Sequence, residues 1–253
     1  MNTRVNNAGD AELQWPGLAG PFDTALRTAV QDVQVYGDPV GIVAGGSIVR
    51  GQGGPTSDID LYVIHHASFR QRWQRRYNGV PFEIFINPPY QVRRYFVEEH
   101  PTRPITAHLL ATGFVVLDRD PVVQTLRNEA ANWLATPPDP TPDDLRWRRY
   151  TIADLLDNAR DVVAVDSAAA DLLLFDALQQ LIHYRFLAAN QHLPRVKAQM
   201  TALRTLDEPA AGVAGAAIAA GSSVERLAHL EALAMQVTGS SGFFEWDSAV
   251  EVV

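Results

Sequence analysis

Apolar residues recur at helical spacing over Phe22, Ala25, Leu26, Ala29, Val30 and Val33, which predicts an amphipathic helix ended by Gly37-Asp38-Pro39. The period then changes. Residues 40–44 form a short apolar run that predicts a buried strand, and residues 58–64 predict a second. Phe69, Trp73 and Tyr77 fit one face of a helix and equally one face of a strand. The following Asn78-Gly79 decides for a strand, because this dipeptide between two such runs is the strongest short hairpin signal. Residues 69–77 and 80–87 are therefore expected to pair. Helices are expected at 89–99 and 104–112, a strand at 114–117, and a helix at 121–134 with Pro121 near its N-terminus.

Beyond this point the pattern is helical almost throughout. Helices are expected at 143–166, 168–190, 194–206 and 222–237, the first capped by Thr141 followed by Pro142 and acidic residues. Phe175, Leu178, Leu181, Ile182 and Phe186 read as core by periodicity. The two halves are separated by Thr136–Asp144, where Pro137, Pro138, Pro140 and Pro142 neither continue a helix nor join a sheet interior. That stretch reads as a stiff linker. The expected architecture is an α/β domain with a mixed sheet at 21–136, followed by an all-α helical bundle at 143–240. Residues 1–7 and the last few residues read as loose ends.

Composition narrows the chemistry. The 253 residues are 47% hydrophobic and 20% charged, which suits a folded globular protein. Cysteine is absent, so disulfides, thiolate zinc sites and cysteine nucleophiles are excluded. Lys197 is the single lysine among 21 basic residues. The net charge of -8 argues against a sequence-independent grip on nucleic acid. Residues 143–253 hold 9 basic and 15 acidic side chains, so the helical half carries most of the negative field. No apolar run approaches the ~20 residues of a membrane span. Met1–Asp10 lacks the apolar stretch of a signal peptide, and a cytoplasmic location is expected.

Three acids stand out. In Ser57-Asp58-Ile59-Asp60-Leu61 the two aspartates share a strand face while Ile59, Leu61 and Val63 take the other. Two ionised carboxylates this close repel unless a cation lies between them, and Mg²⁺ suits such a pair. Solvated aspartates at a strand edge are the plain alternative. Glu83 is the charged residue within Phe82, Ile84 and Ile86, and an unpaired buried carboxylate there is costly. It needs either a shared cleft, where it binds metal or accepts a proton, or one of Arg70, Arg72, Arg75 and Arg76. Gly45-Gly46-Ser47 directly follows a strand, so its N–H groups and hydroxyl are available to a phosphate; a short helix starting there would add to the attraction. No Gly-Lys-Ser/Thr occurs, so this is no P-loop. Gly51-Gln52-Gly53-Gly54-Pro55-Thr56 has threonine where a dinucleotide fingerprint needs its third glycine.

Gly46-Ser47, then Ser57-Asp58-Ile59-Asp60-Leu61, then a strand bearing Glu83, resembles the DNA polymerase β-type nucleotidyltransferase superfamily over about residues 21–87. The helical second half, with Asn190-Gln191-His192-Leu193-Pro194-Arg195-Val196-Lys197, makes the chain similar to two-domain aminoglycoside nucleotidyltransferases. The resemblance implies that Asp58 and Asp60 hold Mg²⁺ on a nucleoside triphosphate, with Glu83 as third acid and metal ligand, or base. It implies that Gly46, Ser47 and Lys197 bind the nucleotide. The reaction expected from it moves a nucleoside monophosphate, AMP from ATP, onto an acceptor hydroxyl held between the domains. The acidic helical half favours a small cationic acceptor. The rivals are a protein-modifying AMPylating enzyme of toxin–antitoxin type and a nucleotide-binding module without chemistry. The glycine-rich Gly51–Thr56 departs from the family pattern. The sequence assigns no oligomeric state.

Other polar groups have plainer readings. His65-His66 ends a strand with no third ligand at zinc spacing. His108 reads as a helix residue with a local hydrogen bond. Arg70, Arg72, Arg75 and Arg76, interleaved with Trp73 and Tyr77, suit a charged edge strand better than a nucleic-acid surface. Asp154, Asp157 and Asp161 share a helix face that is either a wet surface or a receiver of a cationic ligand.

Overall fold

The computed structural model describes residues 13–54 and 56–250. The expected loose N-terminus, the last residues and Pro55 of the glycine-rich loop lie outside the described residues. The chain divides into two compact units, one running through His100 with Pro104–Thr136, the other comprising Pro101–Arg103 and the chain from Pro137 onward.

The first unit is a five-stranded mixed sheet with helices on both faces. Its elements are α1 (Gly20–Gly37), β1 (Gly41–Gly45), β2 (Ile59–Ile64), β3 (Gln71–Tyr77), β4 (Val80–Asn87), α2 (Pro89–Glu99), α3 (Ile105–Thr112), β5 (Phe114–Asp118) and α4 (Pro121–Ala135). The strand order is β3-β4-β2-β1-β5. β2 and β4 are parallel and the remaining pairs antiparallel. The parallel pair has a local cause. From Ile64 the chain crosses through 65–70 to the outermost position as β3, and only then returns inward as β4. Asn78 (φ 49°) and Gly79 (φ 82°) both adopt the left-handed conformation that a two-residue hairpin demands. That turn sets Tyr77 opposite Val80 and Gln74 opposite Glu83.

Alternation along the strands sorts the two faces. Ile59, Leu61, Val63, Trp73, Phe82, Ile84 and Ile86 pack with Ala25, Leu26, Ala29, Val30 and Val33 of α1. Asp32 of α1 is held from the sheet edge by Arg75 (2.6 Å) and by the hydroxyl of Tyr77. Val43, Tyr62 and Ile64 face the other way, onto Val92 and Phe96 of α2, Leu110 of α3 and Leu126 of α4. Phe69 lies ahead of β3 rather than on it, its ring tilted over buried His65 at 4.4 Å.

Gly113 marks where α3 turns into β5. A Cβ there would lie 2.5 Å from the Leu109 carbonyl and from Val43 Cγ1, and 3.0 Å from the Ala44 carbonyl. Backbone atoms cannot swing aside as a side-chain tip can. Gly113→Ala is expected to destabilise the protein by ~1–3 kcal/mol in denaturant titration.

The second unit is all helical, with α5 (Pro142–Val162), α6 (Ser167–Leu187), α7 (Val196–Leu206), α8 (Glu208–Ala219) and α9 (Ser223–Thr238). Thr141 and Asp144 form a reciprocal capping box at the start of α5. Pro101–Arg103 belongs here because Leu193 N–H donates to the Thr102 carbonyl at 3.0 Å. Leu156, Leu174, Leu181, Phe186, Leu203 and Leu230 lie in one core.

Two expectations fail in this unit. α8 is a fifth helix that the sequence reading passed over. Pro209, Gly212 and Gly215 look like breakers, but Pro209 occupies the first turn, where its missing N–H costs nothing. Ala210, Ala211, Ala214 and Ala217 bury the inner face of α8. Phe175 is not core but 44% exposed, with the Arg226 guanidinium 4.7 Å over its ring. Arg226, itself buried, donates to the carbonyls of Ala217 and Ala220 and so satisfies the C-terminal end of α8, while pairing with Asp171 of α6.

His183 of α6 couples this core to pH. Its Nδ1 accepts from Arg148 Nη1 at 3.1 Å, which leaves the proton on a buried Nε2. Burial, and secondarily the Arg148 charge, depress its pKa to about 4. The unfolded chain then takes up the proton first, so stability should fall as pH drops from about 6.5 toward 4. Thermal midpoints should decline over that window in the native protein and less steeply in His183→Gln.

Candidate active site

Asp60 lies on β2 and Glu83 on β4, and the parallel register pairs the two residues directly. Gly45 of β1 stands opposite Asp60 on the other side, and Gln74 of β3 opposite Glu83. One row thus crosses four strands, on the face that carries α2, α3 and α4. Asp58 is not on the strand, which begins at Ile59, but its carboxylate still joins the group. Single oxygens of Asp58, Asp60 and Glu83 all lie within 4.8 Å of one another, with all three residues half-buried. Among the described residues this is the one group of three acids or histidines so convergent.

Gly46 explains how Asp58 is brought in. It adopts φ +95°, and a Cβ on it would lie 2.9 Å from the Asp58 carbonyl and 3.3 Å from Asp60 Oδ2. The backbone of the Gly46-Ser47 turn therefore lies directly against the two aspartates. Ser47 Oγ donates to Ser57 Oγ (2.9 Å), which also accepts from Gly54 N–H (2.8 Å), so the glycine-rich loop is tied back beside the carboxylates. No helix starts at Ser47. Residues 47–51 form turns instead, with Gln52 N–H donating to the Ser47 carbonyl (2.8 Å). Any anion held here would meet turn N–H groups and not a helix terminus.

Glu83 has neighbours of both kinds that its sequence context left open. It belongs to the acidic group, and it also accepts from Arg72 Nη2 (2.7 Å) and Gln74 Nε2 (2.9 Å). Each oxygen receives one donor, and a carboxylate retains further lone pairs for another partner. Arg72 crosses the Phe85 ring at 4.9 Å to get there, and Phe85 in turn stacks on Tyr62 at 5.9 Å. Behind them the Tyr62 hydroxyl accepts from buried Asn87 at 3.1 Å, and burial holds the phenol neutral with its pKa pushed up. Gln74 went unremarked in the sequence, although the hairpin arithmetic places it opposite Glu83.

Other polar groups singled out in the sequence lie elsewhere. Arg70 donates to the Tyr95 hydroxyl (2.6 Å) and Arg76 to the Gly79 carbonyl (3.1 Å). His66 pairs with Asp120 at 2.9 Å. His108 lies on α3, where its carbonyl accepts from Thr112. Lys197 is exposed on the first turn of α7, in the second unit.

Comparison with known proteins bears on the segment that carries this row. Residues 26–104 match the nucleotidyltransferase domain family. That segment has the sequence of a nucleotidyltransferase domain. No curated protein matches the chain. Among solved structures it is similar to a nucleotidyltransferase-like protein from Exiguobacterium sibiricum, at 16% identity over 84% of this chain and 74% of that one, with a TM-score of 0.51. That likeness is one of fold. The matched segment runs from within α1 to Pro104, just before α3, and contains the whole acidic row. The donor set is all carboxylate oxygen, the hard-ligand chemistry that suits a divalent cation such as Mg²⁺ or Mn²⁺.

Proposed function

We propose that the protein is a Mg²⁺-dependent nucleotidyltransferase that moves AMP from ATP onto an acceptor hydroxyl. The observation that carries this reading is the convergence of Asp58, Asp60 and Glu83 beside the Gly46-Ser47 turn within a nucleotidyltransferase domain. Asp58 and Asp60, with Glu83, would hold the metal. When bound, Mg²⁺ would neutralise triphosphate charge and polarise the α-phosphoryl group. Backbone N–H groups around Gly46 and the Ser47 hydroxyl would orient the phosphates, with Lys197 a further phosphate ligand. The acceptor oxygen forms a bond to the α-phosphorus, the bond to the bridging oxygen breaks, pyrophosphate leaves, and Glu83 takes the hydroxyl proton. Catalysis of this kind is mainly positioning and charge neutralisation.

The acceptor is read as a small cationic molecule, of aminoglycoside type. This rests on the helical half, where 15 acidic side chains outnumber 9 basic ones. The experiment is a screen of small hydroxyl acceptors and of proteins with α-labelled ATP. Label should appear on a cationic small molecule with equimolar pyrophosphate release, and added salt should raise the acceptor KM. Label on protein alone would establish the AMPylating reading, and nucleotide binding without label transfer would establish the binding module.

A further inference from the structure

In the second unit the chain after α9 folds back along α5. Phe243 N–H donates to Asp157 (2.9 Å), Arg160 donates to the Ser241 carbonyl (3.1 Å), and Arg146 reaches the Asp247 carbonyl (3.4 Å). Gly242 passes so close that a Cβ would lie 2.7 Å from Asp157 Oδ1 and 3.5 Å from the Arg160 guanidinium. Between this segment and α5 opens a cavity of about 460 Å³, lined by Tyr150, Ala153, Asp154 and Asp157 from the helix and by residues 243–247 from the segment.

Tyr150, Phe243, Phe244 and Trp246 give it an aromatic wall, and Trp147 stands beside them. Trp147 and Trp246 meet edge to face at 4.7 Å and 80°, and Tyr150 closes the corner 5.9 Å from Trp246. Trp147 is 52% exposed and Phe243 84%, an unusual concentration of bare ring surface beside a cavity. The rings are accompanied by uncompensated negative charge. Asp157 is engaged by Arg160 and by the Phe243 amide, but Asp154, Glu245 and Asp247 make no ion pair among the described residues. Of the nearby cations, Arg160 is paired with Asp157 and Glu231 and Arg146 with Asp143, while Arg149 lies over the Phe244 ring at 4.7 Å. Arg149 thus already places a diffuse cation on a ring of this wall. A bare metal ion is the wrong occupant, because the acids of this pocket do not converge as Asp58, Asp60 and Glu83 do. A cation whose charge is spread over a methylated or alkylated nitrogen satisfies both the ring faces and the dispersed carboxylates.

We propose that this pocket is a binding site for an organic ammonium cation. The site does not depend on the transfer reaction, and its test uses the full chain without nucleotide. Calorimetric titration with choline is compared with titration by 3,3-dimethylbutan-1-ol, which has the same shape without the charge. Choline should bind saturably and at least ~10-fold more tightly than the alcohol, because the cation–π and carboxylate attractions act on the charge alone. Trp246→Ala should weaken choline binding by ~10-fold or more. The Asp154→Asn, Glu245→Gln double variant, whose exposed side chains make no hydrogen bond or ion pair among the described residues, should weaken it ~3–10-fold with unchanged circular dichroism. Equal affinity for the alcohol, absence of saturable choline binding, or full affinity in the double variant would overturn the assignment. None of these outcomes touches label transfer from ATP, so the two readings fail separately.

Discussion

Asp60→Asn should remove nucleotidyl transfer, by ~10³-fold or more, while leaving the protein as stable as before or slightly more so. The two expectations have one cause. Three carboxylates share a space in which their oxygens lie within 4.8 Å of one another. At an effective dielectric of ~20, two unit charges ~4 Å apart repel by about 4 kcal/mol, and Arg72 offsets part of this through Glu83. Neutralising Asp60 relieves that repulsion in the metal-free protein. A gain of ~1 kcal/mol would raise the thermal midpoint by ~2–4 °C in a chain of this size. The same change removes a ligand that the proposed transfer requires, and the loss of several kcal/mol of charge stabilisation corresponds to the expected rate. Metal titration supplies a third readout. Mn²⁺ should raise the thermal midpoint of the native protein, since a ligand bound to the folded state stabilises it, and should raise that of Asp60→Asn much less. Full activity in the variant, or a large drop in its midpoint, would return Asp60 to a structural role.

The sequence made the first unit legible because its strands alternate and its turns are chemically explicit. Asn78-Gly79 can be built with both residues in the left-handed region, so it specified the hairpin and with it the register. From that register Gln74 and Arg72 follow as neighbours of Glu83 and Phe85. What the sequence left open was strand order. Nothing in residues 65–70 states that the chain crosses to the sheet edge before β3, and only that crossing sets β4 parallel to β2 and Glu83 beside Asp60. Whether a helix or a turn follows Ser47 was also open, because a glycine-serine step after a strand suits both, and the close approach of Asp58 and Asp60 to Gly46 favours the turn. In the helical unit α8 was hidden by composition. Alanine buries too little to leave a periodic signal; Pro209, which looks like a breaker, sits in the first turn, and Gly212 and Gly215 lie inside the helix at the ordinary cost of glycine. Phe175 shows the opposite error, a periodic residue drawn outward by a cation, Arg226, that no local pattern places above it.

Glu83→Gln should lower turnover by about 10²–10⁴-fold, the usual contribution of a positioned proton acceptor, while nucleotide binding survives better than in Asp58→Asn. The substitution keeps the side-chain shape and removes the charge. It leaves an amide among the donors of Arg72 and Gln74, one of which then meets an NH₂ group instead of an oxygen. A purely structural Glu83 predicts a different result. The Arg72 side chain is 56% exposed and that of Glu83 25%, so their ion pair contributes only ~0–1 kcal/mol to stability. Losing it would shift the thermal midpoint by a few degrees and leave turnover within a few-fold. Arg72→Met separates the roles further. It removes the same ion pair from the other side and keeps the carboxylate, so on the catalytic reading it should cost far less turnover than Glu83→Gln at a comparable loss of stability. Removing the positive charge should also tighten Mn²⁺ binding by the acidic row, because Arg72 no longer competes for Glu83. If Arg72→Met and Glu83→Gln reduce turnover equally, the ion pair is what matters and Glu83 is a structural partner of the edge strand. If only Glu83→Gln is impaired, and Mn²⁺ binds more tightly to Arg72→Met, the carboxylate itself acts in the transfer.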